Sequence, residues 1–280
     1  MKFLILMLSL LLQRQTSRSG YRRKRIWFSR VLQPLALAKQ SIPLQVGGYF
    51  LSVILPCVLL AVFFASLHGL LLGLISVLLQ IVLFLYVLGR DDFNARLRSY
   101  REAWQRGDYQ GAFESARGFL SLQTQTQVVE PQQLHAEVSA AINYAWFIRF
   151  FVPVFWFMLL GIPGAFLWLL SFWFKLELKQ QWSDQLVDAL IWIPSRLLAL
   201  TFCLAGDFTG AFREVLKSVR NPEIPAAEVL AASAQGALPQ MEDFSGSAAL
   251  KALENDHDLL IRSAVIWLVL IAAATILGHL

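Results

Sequence analysis

The feature that most constrains the fold is a long apolar block over residues 46–89. It contains no Asp, Glu, Lys or Arg. A membrane-spanning helix needs about 20 predominantly apolar residues, so this block of 44 residues is long enough for two helices. The whole chain is 57% hydrophobic, with a mean hydropathy of +0.56, which is atypical of a soluble domain. We therefore predict an all-α, polytopic helical membrane protein with cytoplasmic helical segments.

The apolar blocks predict a single integral membrane domain over residues 1–280. The first block is expected to turn near Ser66–Gly69. The predicted spans are 48–66, 70–89, 142–160, 165–179 and 261–279, of which 165–179 is short and therefore tilted or partial. The remaining helical segments, 13–42, 90–140 and 180–258, are predicted to be cytoplasmic.

The first twelve residues form a short apolar run behind a single lysine. Because the run is too short to cross a bilayer alone, we interpret it as an uncleaved helix that re-enters the membrane or lies on its surface. Cleavage as a signal peptide is the alternative, but no small-x-small cleavage site follows the run.

The basic residues are concentrated in one segment, residues 13–40, which holds eight of them and no acid. Positive charge beside an apolar helix is retained on the cytoplasmic side of a membrane. The segment therefore indicates orientation and contact with membrane lipid, and a nucleic-acid partner is not expected. Its basic residues are Arg14, Arg18, Arg22, Arg23, Lys24, Arg25, Arg30 and Lys39.

Cysteine and histidine usage predicts no metal and no cofactor. The two cysteines, Cys57 and Cys203, both lie in apolar runs rather than at ligand-like or disulfide-like spacing. The four histidines are far apart in the sequence.

The most unusual apolar stretch is Asp188–Gly206, because it combines a proline with a charge. Pro194 removes a backbone donor and predicts a broken or tilted helix. Arg196 would be costly in lipid and is expected to face a polar partner. The alternative is an ordinary amphipathic helix whose arginine reaches the membrane surface.

Two further polar side chains interrupt apolar runs. Arg149 could either reach the membrane surface or face a polar cavity. Gln80 could line a site or form a hydrogen bond between helices.

Two windows of seven residues resemble each other. Gly107–Phe113 and Gly206–Phe212 are identical at five positions, and each follows a predicted helix. Asp108 and Asp207 are therefore predicted N-caps. An internal duplication and two independent uses of the same turn chemistry both stay open.

Three segments, in order and spacing, resemble the CobD/CbiB superfamily. They are RGDYQGAFESARGFL (Arg106–Leu120), NYAWFIRFFVPVFWFMLLGIPGAFLWLL (Asn143–Leu170) and DALIWIPSRLLAL (Asp188–Leu200). The resemblance is good over about residues 90–220 and implies a membrane domain of that superfamily's type. The enzymes of one branch use ATP to join an aminopropanol phosphate to a corrinoid carboxylate. A second branch, AmpE, comprises inner-membrane proteins tied to β-lactamase induction.

The missing acidic residues favour the AmpE branch. Where the synthases carry an acidic Glu-Asn-Thr-Ser-Asp run, this chain has Tyr144–Ile148. Chemistry on Mg²⁺ and phosphate needs hard oxygen ligands, which that segment does not offer. The resemblance thus implies a non-catalytic modulator of the bacterial inner membrane, linked to cell-wall stress and β-lactamase induction, with no catalytic residue.

Two alternatives stay open: a corrinoid-type membrane ligase, and a membrane scaffold without a small-molecule site. An anionic small-molecule ligand and a homodimer are further expected partners. The candidate ligand-binding residues are Arg196, Trp192, Pro194, Arg149, Asn143, Gln80, Asp188 and Asp108.

Overall fold

The computed structural model describes residues 2–15, 28–30, 32, 41–67, 70–88, 93–117, 131–239 and 246–278, and every regular element in these ranges is helical. The all-α prediction is confirmed. The predicted turn Ser66–Gly69 begins where the helix Leu55–Ser66 ends. His68 and Gly69, most of the basic segment and residues 118–130 lie outside the described residues. The helices are α1 (Lys2–Gln15), α2 (Ile42–Tyr49), α3 (Leu55–Ser66), α4 (Leu70–Leu88), α5 (Phe93–Gln105), α6 (Tyr109–Arg117), α7 (Pro131–Trp146), α8 (Val152–Leu160), α9 (Ile162–Leu178), α10 (Gln181–Ala205), α11 (Phe208–Arg220), α12 (Ala226–Ala237) and α13 (Gly246–Ile276).

Two proline-containing helices are continued by a π-helical turn. Phe50–Ile54 joins α2 to α3 immediately before Pro56, and Phe147–Phe151 joins α7 to α8 before Pro153. A proline cannot donate to the carbonyl four residues earlier. The wider π-turn changes the local hydrogen-bond register, so each helix continues through its proline without a break.

Four stretches are long and apolar enough to cross a membrane by length and composition: Ile42–Ser66, Ala136–Leu160, Gln181–Ala205 and Lys251–Ile276. The prediction of a polytopic membrane protein agrees with this. Gly73–Leu88 is apolar but shorter. Gln181–Ala205 is one of these stretches, although the sequence analysis placed it in a cytoplasmic segment, and its placement stays a prediction.

The predicted spans 142–160 and 165–179 leave residues 161–164 between them, and the structure has a helix break there. Gly161 ends α8 with φ 71°, a left-handed conformation that glycine adopts at little cost. A Cβ on Gly164 would collide with the Trp156 carbonyl oxygen, so α8 and α9 pack backbone to backbone. The α9 helix has 17 residues and ends at Leu178, with Lys179 as its C-cap residue.

The first of two compact units comprises Met1–Arg90, Arg149–Pro194 and Leu270–Leu280. Its interior is aromatic. Phe84 packs on Phe157 with 4.4 Å between ring centroids, and Tyr49 lies edge-on to Phe174 and Trp182. The Tyr49 hydroxyl also shares a hydrogen bond with the Ser171 hydroxyl at 2.9 Å.

The second unit comprises Asp91–Ile148 and Ser195–Val269. It contains two helical hairpins, α5–α6 and α11–α12, and α12 also packs on α7. In the second hairpin a Cβ on Gly210 would collide with the Gly236 carbonyl oxygen, so only glycine allows this approach. The Asp207 N–H donates to the Ala237 carbonyl at 2.8 Å and closes the open end of the hairpin.

Candidate functional site

The central candidate, Arg196, is buried in α10 and holds the turn between α11 and α12. Its side chain is 6% exposed. One terminal nitrogen donates to the Ile224 carbonyl at 3.1 Å and the Pro222 carbonyl at 3.5 Å. The other donates to the Ser195 hydroxyl at 3.1 Å. A buried cation requires such acceptors, so the guanidinium faces polar groups, as the sequence predicts. We call Arg196, Pro222 and Ile224 the arginine clasp.

The predicted break at Pro194 is wrong, because α10 runs without interruption through the proline. Pro194 leaves the Leu190 carbonyl without its donor in the helix. The Trp156 indole N–H donates to that carbonyl at 3.3 Å. A side chain of α8 therefore supplies the hydrogen bond that the proline removes.

Asp188 and Trp192 occupy the exposed side of the same helix. The Asp188 carboxylate lies 3.8 Å from the Lys175 ammonium, which also lies 3.4 Å from Asp184. The Asp188 side chain is 66% exposed, and such a pair contributes little stability. Trp192 is 37% exposed. Asp184 and Asp188, in the first half of α10, thus form a charged patch with Lys175 within the first unit.

Asn143 lies in a second polar cluster that contains two residues missed by the sequence analysis. The Ser139 hydroxyl donates to an Asp256 carboxylate oxygen at 2.5 Å. Asn143, one turn along α7 from Ser139, is buried beside the same carboxylate, which is 4% exposed. Next along the chain, His257 lies edge-on to Trp146 at 5.7 Å. Asp256 lies in the polar run Asn255–Asp258, ahead of the last apolar block. That polar run was the sequence signal that could have identified Asp256 as a candidate.

The remaining candidates are dispersed. Arg149 lies in the π-helical turn before Pro153 and is half-buried. The Gln80 amide donates to the Ser76 hydroxyl of its own helix at 3.1 Å rather than to another helix. Asp108 caps α6, accepting from the Gly111 N–H at 2.8 Å. The sequence-predicted residues thus belong to several local arrangements rather than one cluster.

The N-cap predictions for both aspartates are confirmed. Asp207 accepts from the Thr209 and Gly210 N–H groups at 3.0 and 3.3 Å, as Asp108 accepts at the start of α6. The two resembling windows therefore perform the same local task. Capping explains the shared aspartate, because a carboxylate satisfies backbone donors that a helix start leaves unpaired.

An open groove of about 970 Å³ lies at the end of the α11–α12 hairpin that is opposite the arginine clasp. Asp207, Arg213, Glu214 and Gln235 are among its lining residues. None of the candidate residues borders it in the described part of the chain. Nor does the described part bring three His, Cys, Asp or Glu side chains close enough together to hold a metal ion.

Comparison with protein families gives one assignment, the family described as "Regulatory signalling modulator protein AmpE", matched over residues 5–280. No match was found among curated proteins or solved structures. The family match covers nearly the whole chain, including the arginine clasp and both hairpins, and it agrees with the resemblance noted in the sequence. The chain belongs to the AmpE family of regulatory signalling modulators.

Proposed function

We propose that this protein is a signalling modulator of the bacterial inner membrane that acts in the response to cell-wall stress and in β-lactamase induction. Its family consists of regulatory, non-catalytic membrane proteins. The link to β-lactamase induction rests on the resemblance to AmpE. The ligase alternative has less support, because the family assigned is regulatory.

We also propose that the arginine clasp transmits the signal. Arg196 is part of a stretch that can cross a membrane, whereas Pro222 and Ile224 belong to a turn between polar helices. A shift or rotation of α10 moves the guanidinium and therefore moves the turn. An anionic small molecule would compete with the two carbonyl oxygens for the guanidinium, which gives such a ligand a means of releasing the turn.

The polar parts of the second unit are proposed to be cytoplasmic, together with segments 13–42 and 90–140. The eight basic residues of 13–40 favour that side. Because α12 packs on α7, residues 226–237 are proposed to lie on the same side as the start of α7, ahead of the candidate span Ala136–Leu160. Membrane lipid and a second copy of the chain are proposed as further partners.

The test uses a strain of the source bacterium that lacks the gene. β-Lactamase activity is measured with and without a β-lactam inducer after complementation with the parent, Arg196→Lys or Arg196→Leu. We expect the parent to restore the response, Arg196→Lys to restore part of it, and Arg196→Leu to fail at equal protein abundance. Arg106→Gln, at an exposed site outside the clasp, is the matched control and should behave like the parent.

Two results would contradict the proposal. If deletion of the gene leaves induction unchanged, the protein does not act in this response. If Arg196→Leu complements fully, the response does not depend on the clasp.

A further inference from the structure

The helix α11 carries an apolar stripe that no other described helix covers. Its buried face consists of Ala211, Val215 and Ser218. A second face, rotated from the first, leaves four large apolar side chains exposed. They are Phe208 (54%), Phe212 (39%), Leu216 (39%) and Val219 (54%).

The spacing of these four residues makes one continuous surface. Positions 208, 212, 216 and 219 follow the i, i+4, i+8 and i+11 pattern of a single helical face. The two phenylalanine rings are stacked at 5.1 Å with an interplanar angle of 12°. Over 13 residues the helix is about 20 Å long. A surface of this kind requires an apolar environment.

Basic residues border the stripe directly. Arg213 and Arg220 are both exposed, and on a helix of 100° per residue they lie next to Leu216. Lys217 is nearby and pairs with Glu214 at 2.6 Å, so the two arginines give this edge its net positive charge. An apolar face with a basic border is typical of helices that lie in the headgroup region of an anionic membrane.

The stripe also follows, two residues later in the sequence, a candidate span that has exposed apolar side chains of its own. Leu197, Leu200 and Leu204 are 40%, 41% and 65% exposed along α10, within the stretch Gln181–Ala205. Only Gly206 and Asp207 separate that stretch from Phe208. A helix that begins two residues after a membrane-crossing helix starts at the membrane surface.

We propose that α11 lies in the membrane interface, with its apolar stripe in the acyl region and Arg213 and Arg220 bound to anionic phospholipid headgroups. Membrane lipid therefore covers the apolar stripe. This places one end of the arginine clasp on the bilayer and makes the protein sensitive to lipid charge.

The first experiment measures depth in the full-length protein in vesicles of phosphatidylcholine and phosphatidylglycerol. Single cysteines replace Phe212, Leu216 or, as the control on the polar side, Glu214, and carry a nitroxide spin label. Both native cysteines are buried, so labelling of the parent sets the background. We expect labels at 212 and 216 to collide more with oxygen, and the label at 214 to collide more with a water-soluble nickel complex.

The second experiment measures lipid preference with a fluorophore at Leu216→Cys, quenched by brominated phosphatidylglycerol or by brominated phosphatidylcholine. We expect phosphatidylglycerol to quench at least about twofold more strongly, since each basic residue near an anionic surface attracts it. Arg213→Gln with Arg220→Gln should bring the ratio close to one. Arg98→Gln with Arg106→Gln removes the same charge from exposed positions of the same unit and should leave the ratio unchanged.

Four results would overturn the proposal. Nickel accessibility at 212 and 216 would place the stripe in water. Shielding from both reagents would mean that a protein, such as a second copy of this chain, covers it. Equal quenching by the two lipids in the parent, or an unchanged ratio in the double variant, would show that the arginines do not select anionic lipid.

Discussion

The Trp156 indole N–H donates to the Leu190 carbonyl oxygen at 3.3 Å, the acceptor that Pro194 leaves without a partner in its own helix. This bond explains why α10 passes through a proline without a break. It also joins two of the segments that carry the family resemblance, since Trp156 lies in Asn143–Leu170 and Leu190 in Asp188–Leu200.

If the Trp156 indole N–H replaces the donor that Pro194 removes, the stability cost of losing it should depend on that proline. Trp156→Phe keeps a ring but removes the donor, and should lower the free energy of unfolding by about 1 kcal/mol. In a Pro194→Ala background the helix supplies its own N–H, so the same change should cost much less. Denaturant unfolding of the four proteins in detergent measures this coupling. Equal costs in both backgrounds would mean that the indole bond does not compensate for the proline.

The close approach of α11 and α12 predicts that Gly210 tolerates no side chain. Gly210→Ala places a methyl group against the Gly236 carbonyl oxygen and should destabilise the protein by about 1–3 kcal/mol. Gly73→Ala is the control, because nothing lies within 4 Å of its added Cβ, and it should be neutral or stabilising. Thermal unfolding of both variants is the measurement, and similar melting temperatures for the two would refute the packing argument.

The hydrogen bond between Ser139 and Asp256 predicts that replacing Ser139 with alanine destabilises the protein more than replacing Ser218. Ser139→Ala leaves a buried carboxylate with one donor fewer and should cost about 2 kcal/mol. Ser218→Ala removes a hydroxyl that donates only to the Val215 carbonyl of its own helix and should cost less than about 1 kcal/mol. Unfolding free energies measured side by side decide this, and a Ser139→Ala cost no larger than that of Ser218→Ala would argue against a stabilising hydrogen bond between Ser139 and Asp256.

The two N-caps predict that removing either aspartate lowers the free energy of unfolding by a similar amount. Asp108→Ala and Asp207→Ala each remove an acceptor for helix N–H groups, and each should cost about 1 kcal/mol. Asp→Asn at either site keeps an acceptor oxygen and should cost less. Amide hydrogen exchange in the first turns of α6 and α11 locates the effect. Unchanged exchange in the alanine variants would show that the caps contribute nothing.

The sequence was most informative where one local rule acted alone. Long apolar blocks predicted membrane helices, Gly161 predicted the end of α8, and Asp108 and Asp207 predicted helix starts. It did not predict the uninterrupted helix at Pro194, where the Trp156 indole binds the Leu190 carbonyl oxygen 34 residues further along the chain. Gln80 has an acceptor one turn away in its own helix.

What the sequence by itself determined is the helical class, the membrane character and the family, because hydropathy, capping and motif order are properties of contiguous residues. Tertiary structure decided which acceptors satisfy Arg196, which donor replaces the one lost at Pro194, and that Asp256 meets Ser139 across 117 residues. It also decided that Phe208, Phe212, Leu216 and Val219 stay exposed while Ala211 and Val215 are buried on the same helix. The physical reason is that burial and hydrogen-bond partners depend on which surfaces meet after folding, and spacing along the chain does not specify them.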